Sequence, residues 1–212
     1  MVTSNKDLMT QAREALSGRW GLAVGTLFVY MLILGSINSL PPHHHTVLSS
    51  GVNYNFSFGS LIMLLIGGAF AFGVATFSLA IARKEGAKFR MLFSGFKYYV
   101  KTLGLYLLML LFICLWMLLL IIPGIIASLS YSLSFFIMSD DPEIGIMDAI
   151  KKSKKMMYGY KWKFFCLNCR FIGWIILGIL SLGIGLLWIV PYMYISYAKF
   201  YDDVKANYIL QE

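Results

Sequence analysis

The chain alternates long apolar runs with short polar segments that are mostly basic. A helix needs about 20 predominantly apolar residues to cross the hydrocarbon core of a bilayer, and six runs approach or reach that length. They cover residues 20–40, 59–82, 103–122, 124–139, 164–182 and 185–201. We therefore predict an all-α polytopic membrane bundle of six transmembrane helices. It forms three hairpins within one domain, residues 1–212.

A short amphipathic segment precedes each predicted hairpin. Apolar residues recur there at helical spacing, and charged residues occupy the other faces. The residues that share this face are Leu8, Ala12, Ala15 and Leu16 in the first segment, Phe89, Leu92, Phe93 and Phe96 in the second, and Ile146, Ala149, Ile150, Ser153, Met156 and Met157 in the third. We expect helices lying in the headgroup plane with their apolar faces on the membrane. Asp141, Pro142 and Glu143 suit the start of the third helix.

Each amphipathic segment ends at a corner where a glycine is followed by a basic and an aromatic residue. We predict that the glycine ends the helix with a positive φ, that the basic residue lies at the headgroups, and that the aromatic ring lies at the interface. The predicted interfacial anchors are Arg19, Trp20, Gly95, Lys97, Tyr98, Gly159, Lys161 and Trp162. A ligand site at these corners is the alternative interpretation.

Glycine and proline positions predict how the spans turn and pack. The pair Pro123-Gly124 is expected to form the tight turn of the second hairpin. Gly21 and Gly25 have the spacing that lets another helix approach closely. The second span is rich in small residues, which favours a closely packed central helix. Pro191 is expected to kink the sixth span.

The second and third hairpins match in spacing, which predicts an internal repeat. Seven residues separate Gly124 from Tyr131 and Gly185 from Tyr192. Ten residues then lead from Tyr131 to Asp141, and ten from Tyr192 to Asp202. The first hairpin fits less well because its loop is long. We place the repeat units at about residues 5–82, 86–139 and 141–203.

Composition and charge support this interpretation. The chain is 59% hydrophobic and 13% charged, with a net charge of +8. Of its 18 lysines and arginines, 17 fall in residues 1–19, 83–101, 140–163 and 199–212, and the predicted opposite loops contain none. This positive-inside pattern places both termini in the cytoplasm of a multi-pass protein. It indicates anionic lipid headgroups, and no nucleic acid, as partners of the basic residues.

The sequence offers no converging acid, base and nucleophile, so we predict that the protein is not an enzyme and needs no cofactor. Cys114, Cys166 and Cys169 all lie within apolar runs and are expected to be packing residues. The predicted outer loop carries His43, His44 and His45. Imidazole can bind a transition metal, but a solvated loop is the other interpretation, and the sequence does not decide between them.

Four residues inside predicted spans are candidates for function: Arg170, Tyr131, Tyr192 and Pro191. A charged residue within a span suggests a functional contact. The Arg170 side chain could instead reach the headgroups, since it lies seven residues after Lys163. The pairs Asp140-Asp141 and Asp202-Asp203 could bind a cation, or cap helices and pair with the lysine-rich amphipathic helix.

The chain resembles domain-of-unknown-function family nine-seven-five, a family of bacterial integral membrane proteins. The resemblance rests on several segments: residues 122–126, Tyr131-Ser132, residues 149–162, 171–174, Pro191-Tyr192 and Phe200-Tyr201. It implies a six-span protein in a bacterial cell membrane, mostly of Gram-positive bacteria, and supplies no catalytic residues.

Three functions are consistent with the sequence. We favour a non-catalytic module that engages lipids, a membrane protein partner or a second copy of the chain, because of the basic and aromatic corners. A small-solute or lipid transporter or channel is the alternative, suggested by repeated hairpins and the proline in span six. A toxin-immunity protein is a third hypothesis.

Overall fold

The computed structural model describes residues 3–39 and 58–210. Within these ranges the chain forms nine α-helices and one 3-10 helix, and no strand. The elements are α1 (Asn5–Leu16), α2 (Trp20–Asn38), α3 (Phe58–Ala82), the 3-10 helix (Phe89–Tyr98), α4 (Tyr99–Leu119), α5 (Ile121–Tyr131), α6 (Ser134–Asp140), α7 (Ile146–Met156), α8 (Lys161–Leu180) and α9 (Leu186–Ile209).

Five helical segments in the described ranges are long and apolar enough to cross a membrane. They are Trp20–Ile37, Phe58–Ala82, Phe89–Leu119, Ile121–Asp140 and Lys161–Leu180. The sixth predicted span lies in α9, which has 24 residues. Its second half carries four charged residues: Lys199, Asp202, Asp203 and Lys205. The prediction of an all-α membrane bundle is confirmed.

Helix α3 lies at the centre of the bundle, as its small residues predicted. A Cβ atom built on Gly73 would lie 1.8 Å from the carbonyl oxygen of Leu92. One built on Gly68 would lie 2.4 Å from that of Thr102. Only glycine lets the 3-10 helix and α4 approach α3 so closely. The same prediction for Gly21 and Gly25 is wrong among the described residues, since nothing lies within 4 Å of a Cβ on either.

The turn of the second hairpin is at Leu120, and its prediction at Pro123-Gly124 is wrong. Leu120 is extended, with φ −162° and ψ 146°, between α4 and α5. Pro123 is the third residue of α5, where a helix does not use the backbone N–H. Gly124 instead allows close packing, because a Cβ there would lie 2.3 Å from Cγ of Met117.

The fourth predicted span is broken into α5 and α6, which meet at Ser132 and Leu133. Serine hydroxyls donate to backbone carbonyls just before the break: Ser130 to Ile126 at 2.6 Å and Ser132 to Leu129 at 2.8 Å. Such bonds compete with the backbone hydrogen bonds of the helix and can bend it. The run of serines therefore gives a physical reason for the break.

Helix α7 begins at Ile146, later than the predicted start at Asp141. The Asp141 carboxylate accepts a bond from the backbone N–H of Glu143 at 3.2 Å, and its carbonyl accepts one from Ile144 at 3.2 Å. Asp141 therefore closes a turn before the helix. Its preference for a helix N-cap and for a turn has the same origin in its short acceptor side chain.

The apolar faces of α1 and α7 pack against the rest of the chain, which differs from the expected contact with lipid. Leu8 and Leu16 of α1 are buried, as are Ala149 and Met156 of α7. The second segment differs again, because Phe89, Phe93 and Phe96 are exposed. It forms a 3-10 helix that continues directly into α4.

Two corner glycines have the predicted positive φ, and the third does not. Gly18 has φ 75° and Gly159 has φ 81°, a backbone conformation that glycine adopts without a steric cost. Gly95 lies inside the 3-10 helix, so the prediction for it is wrong. It is needed for close packing instead, since a Cβ on Gly95 would lie 2.0 Å from the carbonyl oxygen of Ala69.

Candidate functional site

Charged side chains join the helices at one end of the bundle, which we call the basic end. It contains the starts of α2, α4 and α8, the ends of α3 and α6, and the second half of α9. Arg19, just before α2, donates to the carbonyl oxygens of Lys84 at 3.1 Å and Glu85 at 2.6 Å. These carbonyls follow α3, where a cation is favourable.

Arg83 holds three helices together at the basic end. Its Nη1 lies 2.7 Å from Oδ1 of Asp140, at the end of α6, and its Nη2 lies 2.7 Å from Oδ1 of Asp202 on α9. The planar guanidinium suits two carboxylates at once. Its hydrogen bond to Asp140 is the main cause that raises the pKa of Arg83 above its usual value, so the residue stays charged.

Asp140 has two further partners on α9. The hydroxyl of Tyr201 donates to it at 2.9 Å, and the ammonium of Lys205 also donates to it. The Asp140 side chain is only 13% exposed, so these bonds replace most of the water that the carboxylate loses. Arg83, Asp140, Asp202, Tyr201 and Lys205 are named the charge cluster below.

A second ion pair joins α8 to α9 at the same end, and the N-terminal segment forms hydrogen bonds to both of its residues. Nζ of Lys163 lies 2.7 Å from Oδ2 of Asp203, and both side chains are largely buried. The hydroxyl of Thr3 donates to Oδ1 of Asp203 at 2.5 Å. Asn5 donates through Nδ2 to the carbonyl of Lys163 at 2.9 Å.

Three of the four aspartates form ion pairs, in agreement with the prediction of ion pairing, whereas Asp141 closes a turn. We expected the lysines of α7 as partners, and the observed partners are Arg83, Lys205 and Lys163. The sequence does place Arg83 at the same end of the bundle as the aspartates. Arg83 directly follows the apolar run 59–82, just as Asp140 follows the run 124–139 and Asp202 follows the run 185–201.

The lysines of α7 line an open basin of about 900 Å³, the lysine basin. It is lined by Ile144, Asp148, Lys151, Lys152, Lys154, Lys155, Tyr158 and Tyr208. None of its lysines forms a salt bridge with a described residue, and Lys151, Lys154 and Lys155 are exposed. Their charges are therefore available to an external anion.

A smaller cleft of about 170 Å³, the α5 groove, lies between α5, the end of α4 and the basic residues. Its lining is Trp116, Pro123, Ile126, Ala127, Ser130, Tyr131, Lys154 and Lys161. The groove thus combines an apolar wall with two ammonium groups, one from α7 and one from the start of α8.

A third cleft, of about 670 Å³, lies where α3, the 3-10 helix and the end of α6 meet. It combines three cations, Lys88, Arg90 and Lys97, with the hydroxyls of Thr76 and Ser139. Those two hydroxyl oxygens lie 2.8 Å apart, and the Thr76 hydroxyl also donates to the carbonyl oxygen of Phe72 at 2.9 Å.

The predicted anchors have different surroundings. Trp162 is 73% exposed and stacks on Phe165 with ring centroids 5.4 Å apart. Trp20 is half-buried and packs against the core. Nζ of Lys97 lies 5.3 Å from the ring centroid of Tyr98.

The residues proposed for a role inside the spans do not come together in one site. Tyr131 is buried against Phe112, and Tyr192 contacts Phe171 with ring centroids 5.5 Å apart. Pro191 is buried within α9, and the expected kink stays a prediction. Arg170 is exposed on α8.

The cysteines and histidines add no site in the described ranges. Cys114 and Cys169 are exposed and Cys166 is half-buried, all as free thiols, so the expectation that they pack within the chain fails for two of them. His43, His44 and His45 lie outside the described residues. Sequence reasoning also missed the bond from the Tyr197 hydroxyl to Oδ1 of Asn168, at 2.6 Å.

Comparison with known proteins gives a family and no activity. No curated protein matches the chain, and no solved structure matches it. A family model described as Protein of unknown function (DUF975) matches residues 1–124 and 117–208. Since these segments cover nearly the whole chain, the chain belongs to the family Protein of unknown function (DUF975).

Proposed function

We propose that this protein is a non-catalytic membrane module that binds anionic phospholipids at its basic end, with that end and both termini in the cytoplasm of a bacterial cell. The observation that carries the proposal is the arrangement of α7. One face of the helix, with Ala149, Ile150 and Met156, is buried in the bundle, and its lysines form no salt bridge with a described residue. The lysines therefore contribute little to the fold and form a fixed array of positive charge.

The contrast with three other lysines of the basic end supports this proposal. Lys101, Lys163 and Lys205 each pair with a carboxylate of the chain. Those of α7 have no such partner among the described residues, and a basic residue close to an anionic membrane surface gains about 1 kcal/mol.

The test is lipid retention by the full-length protein. We would purify it in mild detergent with equal amounts of phosphatidylglycerol and phosphatidylcholine, then quantify both lipids in the purified sample. We expect enrichment of phosphatidylglycerol, which falls when Lys151, Lys152 and Lys155 are replaced by glutamine and persists when they are replaced by arginine. Equal retention of both lipids by the wild type would contradict the proposal. A second protein retained in stoichiometric amount without lipid enrichment would indicate a protein partner instead.

A transporter is the second candidate, and the charge cluster is the observation that favours it. Asp140 is largely buried among Arg83, Tyr201 and Lys205, and a buried ionisable group of this kind is what coupled transport needs. Swelling of proteoliposomes in iso-osmotic glycerol and potassium glutamate tests this function. Swelling above that of empty liposomes, lost in Asp140→Asn, would support it; no difference would exclude transport of these solutes.

A further inference from the structure

The α5 groove differs from the rest of the basic end because it joins charge to an apolar wall. Lys154 comes from α7 and Lys161 is the first residue of α8, so two separate elements each place a lysine in the groove. Neither lysine forms a salt bridge with a described residue. No carboxylate is among the described residues that line the groove.

The apolar wall of the groove is accessible from outside the chain. Trp116 is 43% exposed and Ile126 is 46% exposed. Both belong to helical segments that can cross a membrane, so their exposed surfaces are suited to hydrocarbon.

The lining of the groove matches a ligand with a negative head and an apolar tail. Its two ammonium groups have no carboxylate beside them in the groove, and the adjoining wall is apolar. Charge complementarity and the exposed apolar surface therefore favour an anionic lipid as the occupant.

A buried hydrogen bond fixes the geometry of the groove. The Ser153 hydroxyl donates to the carbonyl oxygen of Ser130 at 2.8 Å, joining α7 to α5. Ser153 precedes Lys154 in the sequence, and Ser130 lies in the groove lining. The bond therefore holds Lys154 at a set position relative to the apolar wall.

We propose that the α5 groove is a discrete site for one anionic diacyl phospholipid, with Lys154 and Lys161 on the phosphate and an acyl chain along Trp116 and Ile126. This inference rests on the proposed function and narrows it to one site. The phosphate supplies the negative counter-charge that the two ammonium groups do not find in the lining of the groove. The acyl chain covers the exposed apolar wall. Both parts of the ligand are needed for the match.

Native mass spectrometry of the full-length protein, titrated with phosphatidylglycerol, tests the site. We expect a saturable adduct of one lipid. The double variant Lys154→Gln/Lys161→Gln should weaken it about thirtyfold, if each basic residue contributes as it does near an anionic surface. Lys84→Gln/Lys88→Gln removes the same charge from exposed lysines of the basic end that lie outside both the groove and α7, and it should stay within about threefold of the wild type.

Two further variants probe the geometry. Ile126→Trp should fill the space beside the apolar wall and so weaken the lipid adduct. The variant protein should stay monodisperse in size-exclusion chromatography. Lys154→Arg/Lys161→Arg should retain binding, which shows that the glutamine variants lose charge and not fold.

Three results would overturn the site. They are equal binding by the wild type and Lys154→Gln/Lys161→Gln, equal weakening by the control pair, and binding of glycerol 3-phosphate as tight as that of phosphatidylglycerol. The last would show a site for free phosphate esters. If phosphatidylglycerol is preferred over phosphatidylcholine by the wild type and by Lys154→Gln/Lys161→Gln alike, the groove fails and the proposed function stands. If the wild type shows no preference, the proposed function fails.

Discussion

Arg83 and Asp202 lie 119 residues apart in the sequence, and 2.7 Å separates Nη2 of the arginine from Oδ1 of the aspartate. The same guanidinium binds Asp140. One side chain at the end of α3 thus connects the ends of the second and third hairpins. Removing it leaves two carboxylates close together without their shared counterion.

We expect Arg83→Leu to lower the free energy of unfolding by about 2 kcal/mol. The loss is smaller than for a fully buried pair because the side chains keep some exposure to water. Unfolding in mixed detergent and dodecyl sulfate would measure it. Arg90→Leu also removes an arginine charge near the basic end, but from a side chain without a salt bridge to a described residue, and should change stability by less than about 0.5 kcal/mol. Equal effects of the two variants would contradict the role assigned to Arg83.

Gly73→Ala and Gly95→Ala should each destabilise the fold by about 2 kcal/mol, as overpacking does. In both cases the new methyl group would meet backbone atoms, which cannot move aside without shifting a helix. Gly25→Ala is the matched control, since its position in α2 is open, and it should be neutral or slightly stabilising. Thermal unfolding followed by circular dichroism compares the three. A neutral Gly73→Ala would disprove the close approach of the 3-10 helix to α3.

Lys84→Gly should stabilise the protein by about 1 kcal/mol. Lys84 has φ 59°, a left-handed conformation that costs an L-residue roughly that amount. Its backbone carbonyl, which accepts from Arg19, is retained. Gly159→Ala reverses the change at a position with φ 81° and should destabilise by a similar amount. Melting temperatures that move in the same direction in both variants would contradict this prediction.

Tyr197→Phe and Asn168→Ala should each lower stability by about 0.6 kcal/mol, the average for a hydrogen bond between helices in a membrane. Because they remove the same bond between α8 and α9, the double variant should cost less than the sum of the single variants. A double-mutant cycle in dodecyl sulfate unfolding measures the coupling. Strict additivity would show that the bond contributes nothing.

The sequence allowed the helices to be predicted better than the contacts between them. The length of the apolar runs defines α2, α3 and α8, and the positive φ of Gly159 agrees with the local prediction. The position of a turn is less certain, because Pro123 and Gly124 favour both a turn and the first residues of a helix. Leu120 carries no turn signal, and only the packing of α4 against α5 places the bend there.

The candidate site depends on contacts that local patterns do not contain. The four lysines of α7 and the corner Lys161 were evident in the sequence. That Lys154 and Lys161 share a groove with Trp116 follows from how α4, α5, α7 and α8 pack. The pairing of Arg83 with Asp140 and Asp202 is likewise a property of the assembled helices, since no periodicity relates positions so far apart.

The charge cluster is completed late in biosynthesis, because its members are spread along the chain from Arg83 to Lys205. Arg83 leaves the ribosome first, Asp140 follows with the second hairpin, and Asp202, Tyr201 and Lys205 come only with the third. A nascent or truncated chain that ends before α9 therefore holds Asp140 without its tyrosine and lysine donors. Only the completed chain, with α9 in place, supplies every partner of Asp140.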